Sequence, residues 1–235
     1  MDFGLVRDNL ARVRDEIDRI RCVGGGADAV RIVAVTKGHP AEAISAAARA
    51  GIGDIGENRV QEALAKREAV ADVPVQWHLV GHLQSNKARF VPGNFAVVHS
   101  LDSLKVAEAL ARAVRRGSAE AAAVEPLSVL LQVNLAREEQ KSGCAPERAG
   151  EMAQQVAAIP ELRLEGLMTI APFTDDERVQ RAVFSGLRAL RDRLASNGLA
   201  VRELSMGMSG DFRAAVAEGA TMVRLGTVLF GERPS

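Results

Sequence analysis

Apolar residues at Leu5, Val6, Leu10, Val13, Ile17 and Ile20 recur near helical spacing with charges between them. This spacing predicts an amphipathic helix, ended by the glycines at 24 to 26. The pattern then changes. Arg31-Ile32-Val33-Ala34-Val35-Thr36-Lys37 is a compact β-branched run with polar chemistry at its C-terminal end, as expected of a strand buried on both faces of a parallel sheet. Comparable runs follow at 54–58, 77–82, 96–101, 128–135, 164–170, 203–208 and 222–230, separated by Ala-, Leu- and Arg-rich stretches of helical periodicity such as 41–50 and 179–195. Eight strands alternating with helices predict an α/β fold: a single (β/α)8 TIM-type barrel with an extra N-terminal helix. The second strand is short, and the fourth connection contains the loose segment Gly117 to Pro126, so an open doubly wound sheet is the structural alternative. No low-complexity linker interrupts the pattern, and residues 1–235 read as one domain.

Composition narrows the partners. Hydrophobic residues make up 47% of the chain, enough for a substantial core, and 30 Lys+Arg balance 30 Asp+Glu. That balance predicts neither nucleic acid nor membrane as a partner. The local cluster Arg188, Arg191 and Arg193 has acidic neighbours and reads as a solvated helix face. Cys22 and Cys144 match no metal spacing and read as thiols in a reducing compartment. The charged N-terminus resembles no signal peptide, and no segment is apolar enough to span a bilayer, so a cytoplasmic location is expected.

In such a barrel the chemistry gathers at the C-terminal ends of the strands. Lys37 sits at one of these ends. It reads either as a lysine snorkelling out of a strand or as an amine whose lowered pKa leaves a neutral fraction to attack a carbonyl. Leu204-Ser205-Met206-Gly207-Met208-Ser209-Gly210-Asp211 is a strand end leading into a helix, with small residues that let backbone amides approach an anion. Ser209 could equally be a helix N-cap. Val223-Arg224-Leu225-Gly226-Thr227 closes the last strand with a second small pair, and phosphate sites in these barrels often lie between the loops after strands seven and eight. Arg224, in an apolar strand, needs a partner, for which a structural ion pair is the plain alternative. Two signals are set aside. Gly51-Ile52-Gly53-Asp54-Ile55-Gly56 matches a dinucleotide-binding pattern, but a helix precedes it and a strand follows, so Gly51 is better read as a helix C-cap. His78 and His82 are four apart on a strand-like run with no nearby carboxylate in the sequence, so no metal site is expected.

The segments VAVTKGHP, DIGENRVQEALAK, WHLVGHLQSNKARF, QVNLAREEQKSGC, GLMTIAP and LSMGMSGDFRAAVAEGATMVRLGTVLFG resemble the pyridoxal phosphate homeostasis proteins (the YggS/PROSC family) over almost the whole chain. The resemblance implies a monomeric or weakly associating barrel like the N-terminal domain of alanine racemases. It also implies pyridoxal 5'-phosphate (PLP) as cofactor and a role in vitamin B6 homeostasis, with PLP-dependent apo-enzymes as candidate recipients. By position, Lys37 would form the Schiff base, Ser209 with the amides of Gly226 and Thr227 would hold the phosphate, and Arg224 would face the pyridine nitrogen. Asn58 and Met168, at the ends of the second and sixth strands, would line the ring, and Met208 would contact the cofactor from the Ser209 loop. GHP after the lysine departs mildly from the family pattern, without bearing on imine formation.

No catalytic residue is assigned. An amino-acid racemase is the alternative function, and it needs two bases. In alanine racemases the second is a tyrosine from a C-terminal β-domain of the partner subunit. This chain contains no tyrosine, and its last residue, Ser235, follows the last predicted barrel strand directly. An arginine at the ring nitrogen also makes the cofactor a weaker electron sink than a carboxylate would. Slow or no turnover is therefore expected. A PLP-free Schiff-base aldolase would suit the phosphate site but not the family strings.

Overall fold

The computed structural model describes residues 3–24, 29–117, 125–138 and 140–233. Of the loose segment at 117–126, residues 118–124 lie outside that set. Helix α1 (Val6–Gly24) precedes β1 (Arg31–Val35), α2 (Glu42–Arg49), β2 (Asp54–Glu57), α3 (Val60–Ala69) and β3 (Gln76–Leu79). A 3-10 turn, Ser85–Phe90, stands where a helix would join β3 to β4 (Val97–Leu101). The chain continues through α4 (Leu104–Gly117), β5 (Leu127–Gln132), α5 (Ala149–Ala157), β6 (Leu162–Met168) and α6 (Glu177–Ser196). It ends with β7 (Glu203–Ser205), α7 (Phe212–Ala217), β8 (Met222–Leu225) and α8 (Thr227–Phe230).

The strands form a closed barrel in sequence order, all parallel, with Val33 of β1 opposite Asp54 on one side and Arg224 on the other. Closure excludes the doubly wound alternative. Strands β4 and β5 are buried at every position because helices cover the outside while side chains fill the inside. Val97, Leu130, Met168 and Met222 make an interior cluster, with Ile170 packed on it, separate from the large core between strands and helices. At Gly166 a Cβ would lie 2.0 Å from the Glu203 carbonyl oxygen, so β6 and β7 approach each other only because the side chain is absent.

Helix α1 buries Val6, Leu10, Val13 and Ile17, as its periodicity requires, whereas Leu5 is exposed. It packs across α7 and α8, where the Asn9 side-chain amide donates to the Leu229 carbonyl and Phe3 meets Phe230 edge-on. One expected strand is corrected. The run 222–230 is strand only to Leu225; Gly226, with φ −119° and ψ −83°, breaks it, and Thr227–Phe230 is a helical turn. Short apolar runs fit strand and buried helix equally well by periodicity. Gly51 ends α2 with φ +90°, as expected of a helix C-cap glycine. No described helix is long and apolar enough to cross a membrane.

Candidate functional site

A cavity of about 510 Å3 opens at the C-terminal ends of the strands. Its walls come from the residues that follow β1 (Lys37, His39), β2 (Asn58), β7 (Met208, Ser209) and β8 (Gly226, Thr227), with Arg224 at the end of β8 itself. Chain reversal at each strand end brings them together: parallel strands deliver all their C-terminal loops to one rim.

Lys37 is half-buried at the rim and makes no hydrogen bond or salt bridge among the described residues. Burial lowers its pKa below the ordinary 10.5, and the nearby cations Arg233 and Arg224 lower it further, against an opposing pull from Glu57 and Glu62. Beside it in sequence and space lies a partly buried ion cluster around the fully buried Glu57. The Lys66 ammonium donates to the Thr36 carbonyl (2.8 Å), Glu57 Oε1 (2.7 Å) and Glu62 Oε1 (2.8 Å). Thr36 Oγ1 donates to the same Glu57 oxygen at 2.6 Å, and the Gly38 amide donates to Glu62 at 2.8 Å. Residues 36 and 38 are thus both tied down, and the lysine between them is presented from a fixed backbone. Burial nevertheless raises the Glu57 pKa, and its second oxygen has no partner.

The loops after β7 and β8 meet through Ser209. Its Oγ accepts from the Gly226 and Val228 amides, each at 3.2 Å, which leaves the hydroxyl proton to donate into the cavity. Ser209 is therefore not the N-cap of α7; Asp211 holds that position, and its Oδ1 accepts from the Met208 amide at 2.5 Å. Gly207, at φ +92°, makes the turn possible, since a Cβ there would lie 2.6 Å from that of Ala215.

Arg224 is buried and forms no salt bridge with a carboxylate among the described residues, although the charge of Asp211 acts on it, so the structural ion pair is not formed. Its Nη1 donates to Ser205 Oγ at 2.8 Å and its Nη2 to the Thr169 carbonyl at 2.9 Å. Desolvation brings its pKa down to about 10, still cationic at neutral pH.

Met168 is not in the cavity. It is fully buried in the interior cluster, and Ile170, two residues on along the same face, reaches the rim instead. His78 and His82 do have carboxylate neighbours, contrary to the sequence reading: His78 Nε2 lies 2.9 Å from Asp54 and His82 Nδ1 lies 3.0 Å from Asp102. Both carboxylates come from other strand ends, which linear spacing conceals. The cavity also recruits His39, Lys141, Phe173 and Arg233, none of which carried a sequence signal. His39 Nδ1 is buried without a partner, and its ring packs against Phe230.

These shifts imply a measurable pH dependence. Competitive acetylation of Lys37, read by mass spectrometry, should rise with pH through a midpoint below 10.5, because only the neutral amine reacts. Arg233→Ala should move the midpoint upward by removing one of the two cations that depress it. An unmoved midpoint would exclude Arg233 from that role.

Residues 9–234 match the family described as alanine racemase, N-terminal domain. The chain is 44% identical over 229 residues to a pyridoxal phosphate homeostasis protein of Pseudomonas aeruginosa, covering 97% of this chain and 96% of the relative. It is 40% identical to one from Escherichia coli K12, covering 97% of each. Among solved structures, PipY of Synechococcus elongatus PCC7942 with PLP bound superposes with a TM-score of 0.83 at 36% identity, over 96% of this chain and all (100%) of PipY. An alanine racemase from Clostridium difficile superposes at TM-score 0.76 and 17% identity, over 99% of this chain but 58% of the racemase, a likeness of fold alone.

Proposed function

The chain belongs to the pyridoxal phosphate homeostasis family, built on the fold of the alanine racemase N-terminal domain, and from that premise we propose that it holds PLP on Lys37 as a Schiff base and serves the intracellular supply of that cofactor. The observation that carries the reading is the unpaired Lys37 amine facing the same cavity as the Ser209 cradle and the Arg224 cation.

PLP supplies an aldehyde carbon for an amine to attack, with net loss of water, together with a phosphate dianion and an aromatic ring nitrogen. The residues present fit those three demands. Lys37, partly desolvated and near two cations, offers the neutral amine at a lower pH than an exposed lysine would. Ser209 offers a hydroxyl donor, and the Thr227 amide, in the first turn of α8, has no acceptor among the described residues, whereas the Gly226 amide is already donated to Ser209 Oγ. The Val228 amide contributes indirectly, by holding Ser209 in place. Arg224, held by two neutral acceptors, keeps further guanidinium donors for the ring nitrogen and would leave that nitrogen unprotonated. Asn58 and Met208 line the cavity from different loops and would flank the ring, with Ile170 in the place expected of Met168.

The racemase alternative has the shared fold in its favour, but the chain contains no tyrosine to act as second base. Borohydride reduction of the PLP-loaded protein should trap the cofactor on Lys37. Racemisation of an amino acid at an ordinary enzymatic rate would overturn the carrier reading. The phosphate assignment has its own test. Ser209→Ala should weaken PLP binding by roughly tenfold or more, since a hydrogen bond to a charged group is lost, and should leave binding of phosphate-free pyridoxal unchanged. Equal weakening of both would place the phosphate elsewhere.

A further inference from the structure

A continuous line of hydrogen bonds crosses the barrel interior from the cavity to the opposite end. Arg224 Nη1 meets Ser205 Oγ at 2.8 Å, and Ser205 Oγ meets His99 Nδ1 at 2.8 Å. His99 Nε2 meets His78 Nδ1 at 2.9 Å, and His78 Nε2 meets Asp54 Oδ1 at 2.9 Å. Ser205, His99 and His78 are fully buried, Arg224 nearly so, and the Asp54 side chain is 23% exposed at the start of β2, on the floor side. The five residues come from β8, β7, β4, β3 and β2. Polar side chains are costly inside a barrel, and this set is satisfied only collectively.

The two ends, with neutral imidazoles between them, fix the direction of every bond in the line. A guanidinium only donates, so Ser205 Oγ must accept from Arg224. An ionised carboxylate only accepts, so His78 must carry its proton on Nε2. His78 Nδ1 is then the acceptor, His99 donates from Nε2, and His99 Nδ1 accepts the Ser205 hydroxyl proton. With both imidazoles neutral, each of the four protons has a partner. The competing arrangement makes His78 an imidazolium, which forces His99 to donate from Nδ1 to Ser205. Ser205 would then accept twice, leaving its own proton stranded in a site with no solvent exposure. Desolvation disfavours the charged form of His99 first, and neighbouring His78, Arg224 and Arg31 disfavour it further, in keeping with a neutral ring.

We propose that Asp54, at the barrel floor, is a positioning residue for the cavity-facing Arg224: through His78 and His99 it fixes both rings as Nε2–H tautomers and commits the Ser205 oxygen to accept from the guanidinium. Insofar as it concerns the ring of the cofactor, the inference rests on the assignment of PLP to this cavity.

The full-length protein without cofactor tests the tautomers directly. The chain has four histidines, and His39→Gln and His82→Gln identify the two signals outside the chain of bonds. Ring 15N–1H spectra at neutral pH should show His78 and His99 each protonated only on Nε2. An imidazolium at His78, or an Nδ1 proton on His99, would overturn the proposal. Asp54→Asn keeps an acceptor but loses the charge and adds a donor, so the direction is no longer imposed. It should change the His99 pattern, although Asp54 does not touch His99, and shift the visible band of added PLP, with Asp54→Glu restoring both. A change confined to His78 with an unmoved band would reduce Asp54 to a local structural role and overturn the proposal. Failure of the unsubstituted protein to develop any visible band would instead overturn the PLP assignment, leaving the histidine spectra to decide the hydrogen-bond chain on their own.

Discussion

Replacing Lys37 by alanine should abolish both the visible band formed with PLP and the mass increase trapped by borohydride. The reason is that no other amine at the cavity is available among the described residues. Lys66 is committed to three oxygens, and Lys141, at the rim, donates to Glu138 Oε1 and to the Ala171 carbonyl at 2.7 Å and 3.0 Å. Either would have to abandon charged or buried acceptors before its nitrogen could lose a proton and attack a carbonyl. Lys37 has no such bonds to break, and its ammonium form is already disfavoured by burial and by Arg233 and Arg224. The variant should still bind PLP weakly through Ser209 and Arg224, as a dialysable complex without the shifted band. Fold stability should change little, because a half-buried side chain without partners is removed. Trapping of the cofactor on Lys141 in the unsubstituted protein would refute the assignment.

Lys66→Met should be the most damaging single substitution among the charged residues around the site, although Lys66 is not expected to touch the cofactor. It leaves Glu57, which has no solvent exposure, without its cation, while Glu62 loses the same partner. Removing one member of a buried ion pair typically costs about 3–5 kcal/mol, because the other charge stays buried. For a chain of this size that corresponds to a Tm lower by roughly 6–20 °C. The pH dependence has a definite sign. Burial already raises the Glu57 pKa, and loss of Lys66 raises it further, so the deficit is largest at neutral pH and shrinks as acidification protonates Glu57. Adding Glu57→Gln to Lys66→Met should recover part of the loss at neutral pH. Calorimetry at two pH values on both variants checks this; a deficit independent of pH would show that packing of the lysine stem, not the stranded carboxylate, is responsible.

Local pattern made some residues of the site legible and hid others. Lys37, Ser209, Arg224 and the Gly226-Thr227 pair stood out because each lies where an apolar run stops and a loop begins, and the structure brings all of them to one cavity. Met168, expected at the ring only from the family resemblance, sits a layer too deep. Period-two alternation shows which face of a strand points inward, but depth within the barrel depends on the stagger of neighbouring strands, which only closure sets. The apolar 222–230 run hid a helical turn, whose amides hold Ser209. His39, Phe173 and Arg233 sit in loops where composition carries no periodic signal.

The sequence by itself determined the barrel, its direction and the family, and singled out Lys37 as a candidate amine, because buried parallel strands and their C-terminal loops leave a mark on contiguous residues. Tertiary structure alone decided how that amine is supported and what stands behind Arg224. Glu57 and Lys66 are nine residues apart, and Asp54, His78, His99, Ser205 and Arg224 span most of the chain. Those groups interact only because eight staggered strands close on one another, and that geometry belongs to the barrel rather than to any segment of it.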